Sequence, residues 1–191
     1  IKINNNTNYN EFIVTETYNK RVLDIGVCEH DFSHMSDTST WKHEMIKQSA
    51  KYVLGVDIIP ELVNKLNNDG YNIKLVDAIS DKYLGEKFDI VFIGDVIEHV
   101  NDPVKLLLFA KRHLGKSGKI IINTPNPFFI KFIFSVLKYG ACVANAEHVS
   151  WITPTNMMEI AHRAGLRLTA IIYNTKSKHL LVRIFKKILP L

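Results

Sequence analysis

The sequence predicts an α/β fold: a doubly wound, mostly parallel, seven-stranded sheet with a C-terminal antiparallel hairpin. Three observations predict it. Short runs of Val, Ile and Leu recur along the chain, near-continuous as in parallel strands covered on both faces. Stretches with helical spacing separate them. The runs end in acids or glycine, at the edge where open α/β sheets bind ligands. With 191 residues, 47% hydrophobic and 23% charged, the chain is no disordered polypeptide and can bury a single-domain core without disulfides.

In chain order, the runs 21–26 (RVLDIG), 52–57 (YVLGVD), 72–76 (NIKLV), 88–94 (FDIVFIG) and 119–124 (KIIINT) read as buried strands. Helical spacing appears at 41–51, 60–68 and 103–114, the last with Asp102 as N-cap and Pro103 in the first turn. After a helix at 153–164, the runs 166–173 and 179–185 read as a final strand pair with a hairpin connection at 174–178.

The strand tips carry Asp24-Ile25-Gly26, Asp57, Asp77, Gly94-Asp95 and Asn123-Thr124-Pro125-Asn126. Any one of the acids alone reads best as a turn former or helix cap. Together they suit a ligand with hydroxyls and an amino group, and they would repel a polyphosphate. A dinucleotide site needs G-x-G-x-x-G, so that pyrophosphate can approach bare backbone. The turn Gly26-Val27-Cys28-Glu29-His30-Asp31 has one glycine and two acids, which argues against NAD. S-adenosylmethionine has no phosphate. Asp57 is placed to accept from its ribose hydroxyls, Asp77 from the adenine amino group, and Asp24 with the Gly26 turn to meet the methionine ammonium.

Six segments in order, VLDIG at 22–26, VLGVDI at 53–58, VDA at 76–78, FDIVFIGDVIEHVNDP at 88–103, GKIIINTPNP at 118–127 and HVSWITPTNMMEIAHRAGL at 148–166, resemble class I S-adenosylmethionine-dependent methyltransferases over residues 20–185. Within that family, His30-Asp31, Trp41-x-His43 and the TPNPF segment resemble a bacterial subgroup associated with glycan or small-metabolite methylation. The resemblance implies a single methyltransferase domain over 1–191, with 127–147 as a candidate lid. It also implies a cofactor site of Asp24, Gly26, Cys28, Asp57, Ile58, Asp77, Ala78 and Asp95. One departure is plain: Val27, Cys28 and Glu29 stand where the family has further glycines, which puts direct cofactor contacts by Cys28 and Glu29 in question. The interval from Gly26 to Asp57 is also long for such a unit, and the excess is assigned to a loop at 32–40.

Methyl transfer to a hydroxyl needs alignment and a proton acceptor. Candidates are Asp95, His99 and His148, with Glu98 beside them; on a helical turn Asp95, Glu98 and His99 would share a face. Asp95, Glu98, His99 and His148 form a donor set that can hold a divalent metal. They resemble the metal site of small-RNA 2′-O-methyltransferases and, more loosely, of ubiquinone-biosynthesis O-methyltransferases. A metal-free site, with the histidines lining the pocket, is the expectation. His30 and His43 are further pocket candidates, with packing as the alternative for His43; His34, His113, His162 and His179 read as surface residues.

The expected reaction is O-methylation of a sugar, glycan or small polar metabolite. RNA 2′-O-methylation, or a cofactor-binding scaffold without catalysis, are the alternatives. Charge is uneven: residues 1–100 hold 10 Lys/Arg against 16 Asp/Glu, a net −6, and residues 101–191 hold 14 against 3, a net +11. The basic half permits nucleic acid without indicating it, since aromatic interleaving on an exposed sheet is absent. The apolar segment Phe128 to Leu137, broken by Lys131, is far short of the ~18 residues of a spanning helix. A buried lid, a dimer surface and an interfacial helix in peripheral contact with a membrane are its readings. The chain starts polar, at Ile1-Lys2-Ile3-Asn4-Asn5-Asn6, without a signal-peptide pattern, and does not begin with Met. Two cysteines form no framework, so a reducing, cytoplasmic setting is expected; the oligomeric state is left open.

Overall fold

The computed structural model describes residues 1–5, 8–28, 41–142 and 145–173. The apolar runs form strands β2 (Arg21–Ile25), β3 (Tyr52–Asp57), β4 (Ile73–Leu75), β5 (Phe88–Gly94) and β6 (Leu114–Asn123), all parallel, in the order β4-β3-β2-β5-β6. Strand order reverses between β2 and β5, which is where such a sheet opens a crevice at its carboxyl edge. Ile25 pairs with both Val56 and Ile93, and Gly94 with Asn123, so Gly26, Asp57, Gly94 and Asn123 lie in one row along that edge.

Helices α1 (Tyr9–Thr17), α2 (Lys42–Ser49) and α3 (Pro60–Asn68) cover one face; α4 (Pro103–His113) and α6 (Pro154–Arg163) cover the other. Alternation along β5 divides the core. Ile90 and Phe92 pack with Ile13, Val22 and Ile46, whereas Val91 and Ile93 join Leu23, Leu106, Phe109 and Met157. Each such side chain, fully buried, is worth about 1.5–3 kcal/mol, so these two layers fix the strand tips. Asp102 caps α4 by accepting from the Lys105 N–H, with Pro103 in the first turn, as expected from the sequence. Thr153 and Asn156 cap α6 reciprocally.

Several expectations are corrected. The main sheet has five strands among the described residues, not seven. Two further strands, β1 (Lys2–Asn5) and β7 (Ala170–Tyr173), form a separate parallel pair. The run expected as the hairpin's first arm thus pairs with the chain's start, and the second arm, 179–185, lies outside the described residues. Strand β6 starts at Leu114 because Gly115 and Gly118 let the backbone approach Phe88; a Cβ at either would sit 3.1 Å or 2.9 Å from the Phe88 carbonyl oxygen. Helix α5 (Ile130–Tyr139), inside the expected lid, has no buried residue and ends at Gly140 in the left-handed conformation. No helix among the described residues is long and apolar enough to cross a membrane.

Candidate active site

The edge beside β2 and β3 is built from backbone donors and buried carboxylates. Gly26 has φ +78° and donates its N–H to the Val56 carbonyl (2.9 Å). A Cβ there would lie 2.1 Å from Val96 Cγ2, so no larger residue fits. Beyond it, the Val27 carbonyl accepts from Trp41 Nε1 (2.9 Å) and the Cys28 N–H donates to Asp57 Oδ2 (2.8 Å). Asp57 Oδ1 accepts from Ile58 N–H (2.7 Å) and Ile59 N–H (3.1 Å). A carboxylate offers about four acceptor positions; the three backbone N–H groups and the Cys28 thiol take them, and the thiol, a weak donor, is the one a ribose hydroxyl would replace. Ile58 is 65% exposed beside it, an apolar surface at the crevice edge. Asp77 is exposed and turns onto Ile79 N–H (2.9 Å), with Ala78 buried next to it. Burial, and then Asp57, push the half-buried Cys28 thiol well above its ordinary range, so it is no nucleophile.

Asp24 is buried and its Oδ2 meets His43 Nδ1 at 2.7 Å. His43 is 1% exposed and packs against Trp41 and Tyr71. One group escaped sequence reasoning altogether. The Tyr9 hydroxyl is buried without a partner; burial, then Asp95 and Asp24, raise its pKa far above the usual phenol range. The only signal for α1 was Tyr9, Ile13 and Thr17 at four-residue spacing inside an Asn-rich stretch.

The edge beside β5 and β6 is different. Asp95 does not begin a helical turn: at φ 53° it turns onto Asn123, whose Nδ2 donates to Asp95 Oδ1 (2.6 Å). It therefore stands apart from the proposed four-residue set. Glu98, His99 and His148 do come together, each offering a ligand atom, all within 4.8 Å of one another. The His99 and His148 rings meet edge to face at 4.7 Å. Glu98 is 1% exposed; Thr124 donates to its Oε2 (3.0 Å), while Oε1 is buried without a partner. Burial, with a smaller push from Asp95, raises the Glu98 carboxyl to about 7. Its main-chain carbonyl accepts from Val149 N–H (3.0 Å) and Ser150 N–H (3.2 Å), which brings His148 to the cluster.

Three residues after His148, Trp151 packs perpendicular to Phe132 at 5.1 Å. Pro127, Ile133, Val136, Leu137 and Cys142 complete an open apolar groove of about 430 Å³. Of the other histidines, His113 is a correction: it is buried, its Nδ1 bonded to Phe109 O and its Nε2 accepting from Leu84 N–H (2.9 Å). His162 is exposed as expected; Glu29, His30, Asp31, His34, the 32–40 loop and His179 lie outside the described residues.

The donor set of the first edge suits S-adenosylmethionine: acids without a lysine or arginine at the tips of β2 and β3, a buried carboxylate held by backbone donors and a weakly bonded thiol, and an exposed apolar side chain beside it.

A family model described as a methyltransferase domain matches residues 7–171. A ubiquinone biosynthesis O-methyltransferase of Pseudoalteromonas translucida is 26% identical over 187 residues, covering 88% of this chain and 75% of that protein. Proteins of the same name match from Aromatoleum aromaticum (25%, covering 80% and 66%) and Coxiella burnetii (22%, covering 67% and 59%). The chain thus spans 59–75% of the length of these relatives. Among solved structures, the YcgJ protein of Bacillus subtilis superposes with a TM-score of 0.57 at 17% identity, over 81% of this chain and 65% of that one. A Bacillus halodurans protein described as a methyltransferase gives 0.55 at 18%, over 82% and 66%. These two establish the likeness of fold.

Proposed function

This chain belongs to that methyltransferase family, the class I S-adenosylmethionine-dependent enzymes, and on that premise we propose that it methylates a hydroxyl oxygen of a small molecule. The observation that carries the reading is the Glu98, His99 and His148 cluster at the strand-tip edge. S-adenosylmethionine, when bound, supplies a methyl on a sulfonium whose departure leaves a neutral thioether. Asp57 would hold the ribose in place of its bond to the Cys28 thiol, Ile58 and Ala78 would flank the adenine, and Gly26 and Cys28 would line the turn. Asp77 takes the adenine amino group. Asp95, fixed by Asn123, closes the cofactor side nearest the acceptor.

Methylation of a hydroxyl would require that its oxygen give up a proton. His148 is the proton acceptor, with His99 against its ring and Glu98 beside both to share the proton. The curated relatives are named for ubiquinone biosynthesis, not for glycan methylation, and the groove lined by Phe132, Ile133 and Leu137 is closed by Trp151, three residues after His148. Both favour a hydroxyl on an apolar or aromatic body over the sugar expected from the sequence. Residues 1–191 serve as one domain in this reading, with 127–147 forming the acceptor wall.

A second reading has its own support. One carboxylate and two imidazoles within 4.8 Å, with Glu98 Oε1 buried and unbonded, form a donor set that fits a divalent cation, which would lower the pKa of a bound hydroxyl. Glu98, His99 and His148 would hold it; Asp95 would not.

Methyl-labelled S-adenosylmethionine, offered with a hydroxylated aromatic ring, a panel of free sugars and single-stranded RNA, tests the reaction. Label on the ring hydroxyl is expected. Label on sugar or RNA alone overturns the acceptor assignment, and activity lost to a chelator and restored by a divalent salt selects the second reading.

A further inference from the structure

The first turn lacks the glycines that usually let a backbone bend under the cofactor, yet its course is fixed. Val27 is 3% exposed and points into the core with Trp41, Val63, Leu66 and Ile73, away from the crevice. Trp41 Nε1, from the residue preceding α2, donates to the Val27 carbonyl. Two residues on, His43 meets Asp24 on β2, four residues from Cys28. Two side chains of one helix start therefore hold the strand before the turn and the peptide inside it. Cys28 N–H is then presented to Asp57 Oδ2 at 2.8 Å.

Space for this arrangement comes from β3. A Cβ on Gly55 would stand 2.9 Å from Val27 Cγ1, 3.0 Å from Ile73 Cγ1 and 3.1 Å from His43 Cε1. The glycine missing from the turn has its counterpart beneath it. His43 Nε2 is buried without a partner. A buried N–H there would forfeit a hydrogen bond, whereas a bare ring nitrogen forfeits less; the imidazole therefore keeps its proton on Nδ1, donated to Asp24.

We infer that Trp41 and His43 are positioning residues for cofactor binding: a two-point clamp from α2 that sets the glycine-poor turn 26–28 and, through it, the carboxylate of Asp57. The inference rests on the cofactor reading above. It assigns to side chains below the crevice what glycines do in the turn itself, and it makes Trp41 and His43 determinants of affinity although neither reaches the ligand.

Calorimetry with S-adenosylhomocysteine on the full chain tests it, alongside thermal unfolding of the unliganded protein. Wild type should bind; if it gives no heat, the cofactor reading itself falls, and the clamp with it. Trp41→Phe keeps an aromatic ring in the core but removes the pyrrole half of the indole with its N–H to Val27; it should weaken binding about tenfold and lower Tm by a few degrees. His43→Leu should weaken it by at least as much. His43→Asn, whose amide can reproduce the Nδ1 donor to Asp24, should recover most of the affinity. Wild-type affinity in Trp41→Phe, or equal weakening in His43→Asn and His43→Leu, would show that these residues only fill the core, and would overturn the inference.

Discussion

The two edges of the crevice are finished to different degrees. Beside β2 and β3, the polar groups close on one another, with His43 Nε2 the one buried exception among the described residues: Asp57 takes three backbone N–H groups, Asp24 is joined to His43, and Val27 to Trp41. Beside β5, three buried polar atoms, Glu98 Oε1, Ser150 Oγ and the Tyr9 hydroxyl, have no partner, and the neighbouring helix α5 turns Phe134, Val136 and Leu137 to solvent. Buried groups left without hydrogen bonds cost about 1–3 kcal/mol each. That cost is offset when a ligand supplies the partner. The contrast separates a preorganised cofactor edge from an acceptor edge completed by what binds there.

Substitutions can break that contrast. The largest effect is expected for Glu98→Gln. Turnover should fall by about a hundredfold or more, since an amide cannot take a proton and offers a cation only a neutral, weaker ligand. Tm should hold or rise, because the buried carboxyl is already displaced toward its neutral form. Steady-state kinetics beside a melting curve reads both; loss of Tm with activity intact would make Glu98 a scaffold residue.

Asp57→Ala should act in the opposite way. It strands three backbone donors, so S-adenosylhomocysteine affinity should fall by about 10- to 100-fold, and stability should drop by about 1–3 kcal/mol. Equal cofactor affinity in this variant and wild type would dissolve the distinction between the edges.

The scaffold under both edges has its own pH signature. Burial holds the His113 pKa below its ordinary value, against its bond to Phe109. The unfolded chain therefore takes up this proton first as pH falls, and stability should decline below about pH 6.5, toward the depressed folded value. Melting curves between pH 7.5 and 5, on wild type and His113→Gln, measure it; the variant should show the shallower slope.

Smallest of all, Leu137→Ser should change stability by less than about 0.5 kcal/mol, since Leu137 is 76% exposed. Chemical denaturation checks this, and a large loss would mean α5 is held by contacts beyond those described.

The same contrast governs what could be read from the sequence. Strands β3 and β5 and helix α3 fall where the apolar runs and helical spacing put them, because burial on both faces leaves a dense local signal. Of the four residues that the sequence grouped at the acceptor edge, Glu98, His99 and His148 come together; Asp95 leaves the group because of a positive φ, which no periodicity reports. His113 was hidden by its neighbours Lys111 and Arg112, although Leu106, Phe109, Ala110 and His113 mark one buried stripe of α4. The clamp on Val27 and the pairing of β1 with β7 are long-range contacts between segments whose local composition says little.

The paired bonds from Val149 and Ser150 to the Glu98 carbonyl carry a mechanical corollary. His148 sits one residue from that mooring, on the same strip of chain that runs on to Trp151 in the groove wall. Swinging the wall outward to admit a bulky acceptor would release both bonds and carry the imidazole away with it. The groove wall and the position of the imidazole are thus coupled: an acceptor that fits without displacing Trp151 keeps its base in place, and one too bulky to fit loses it.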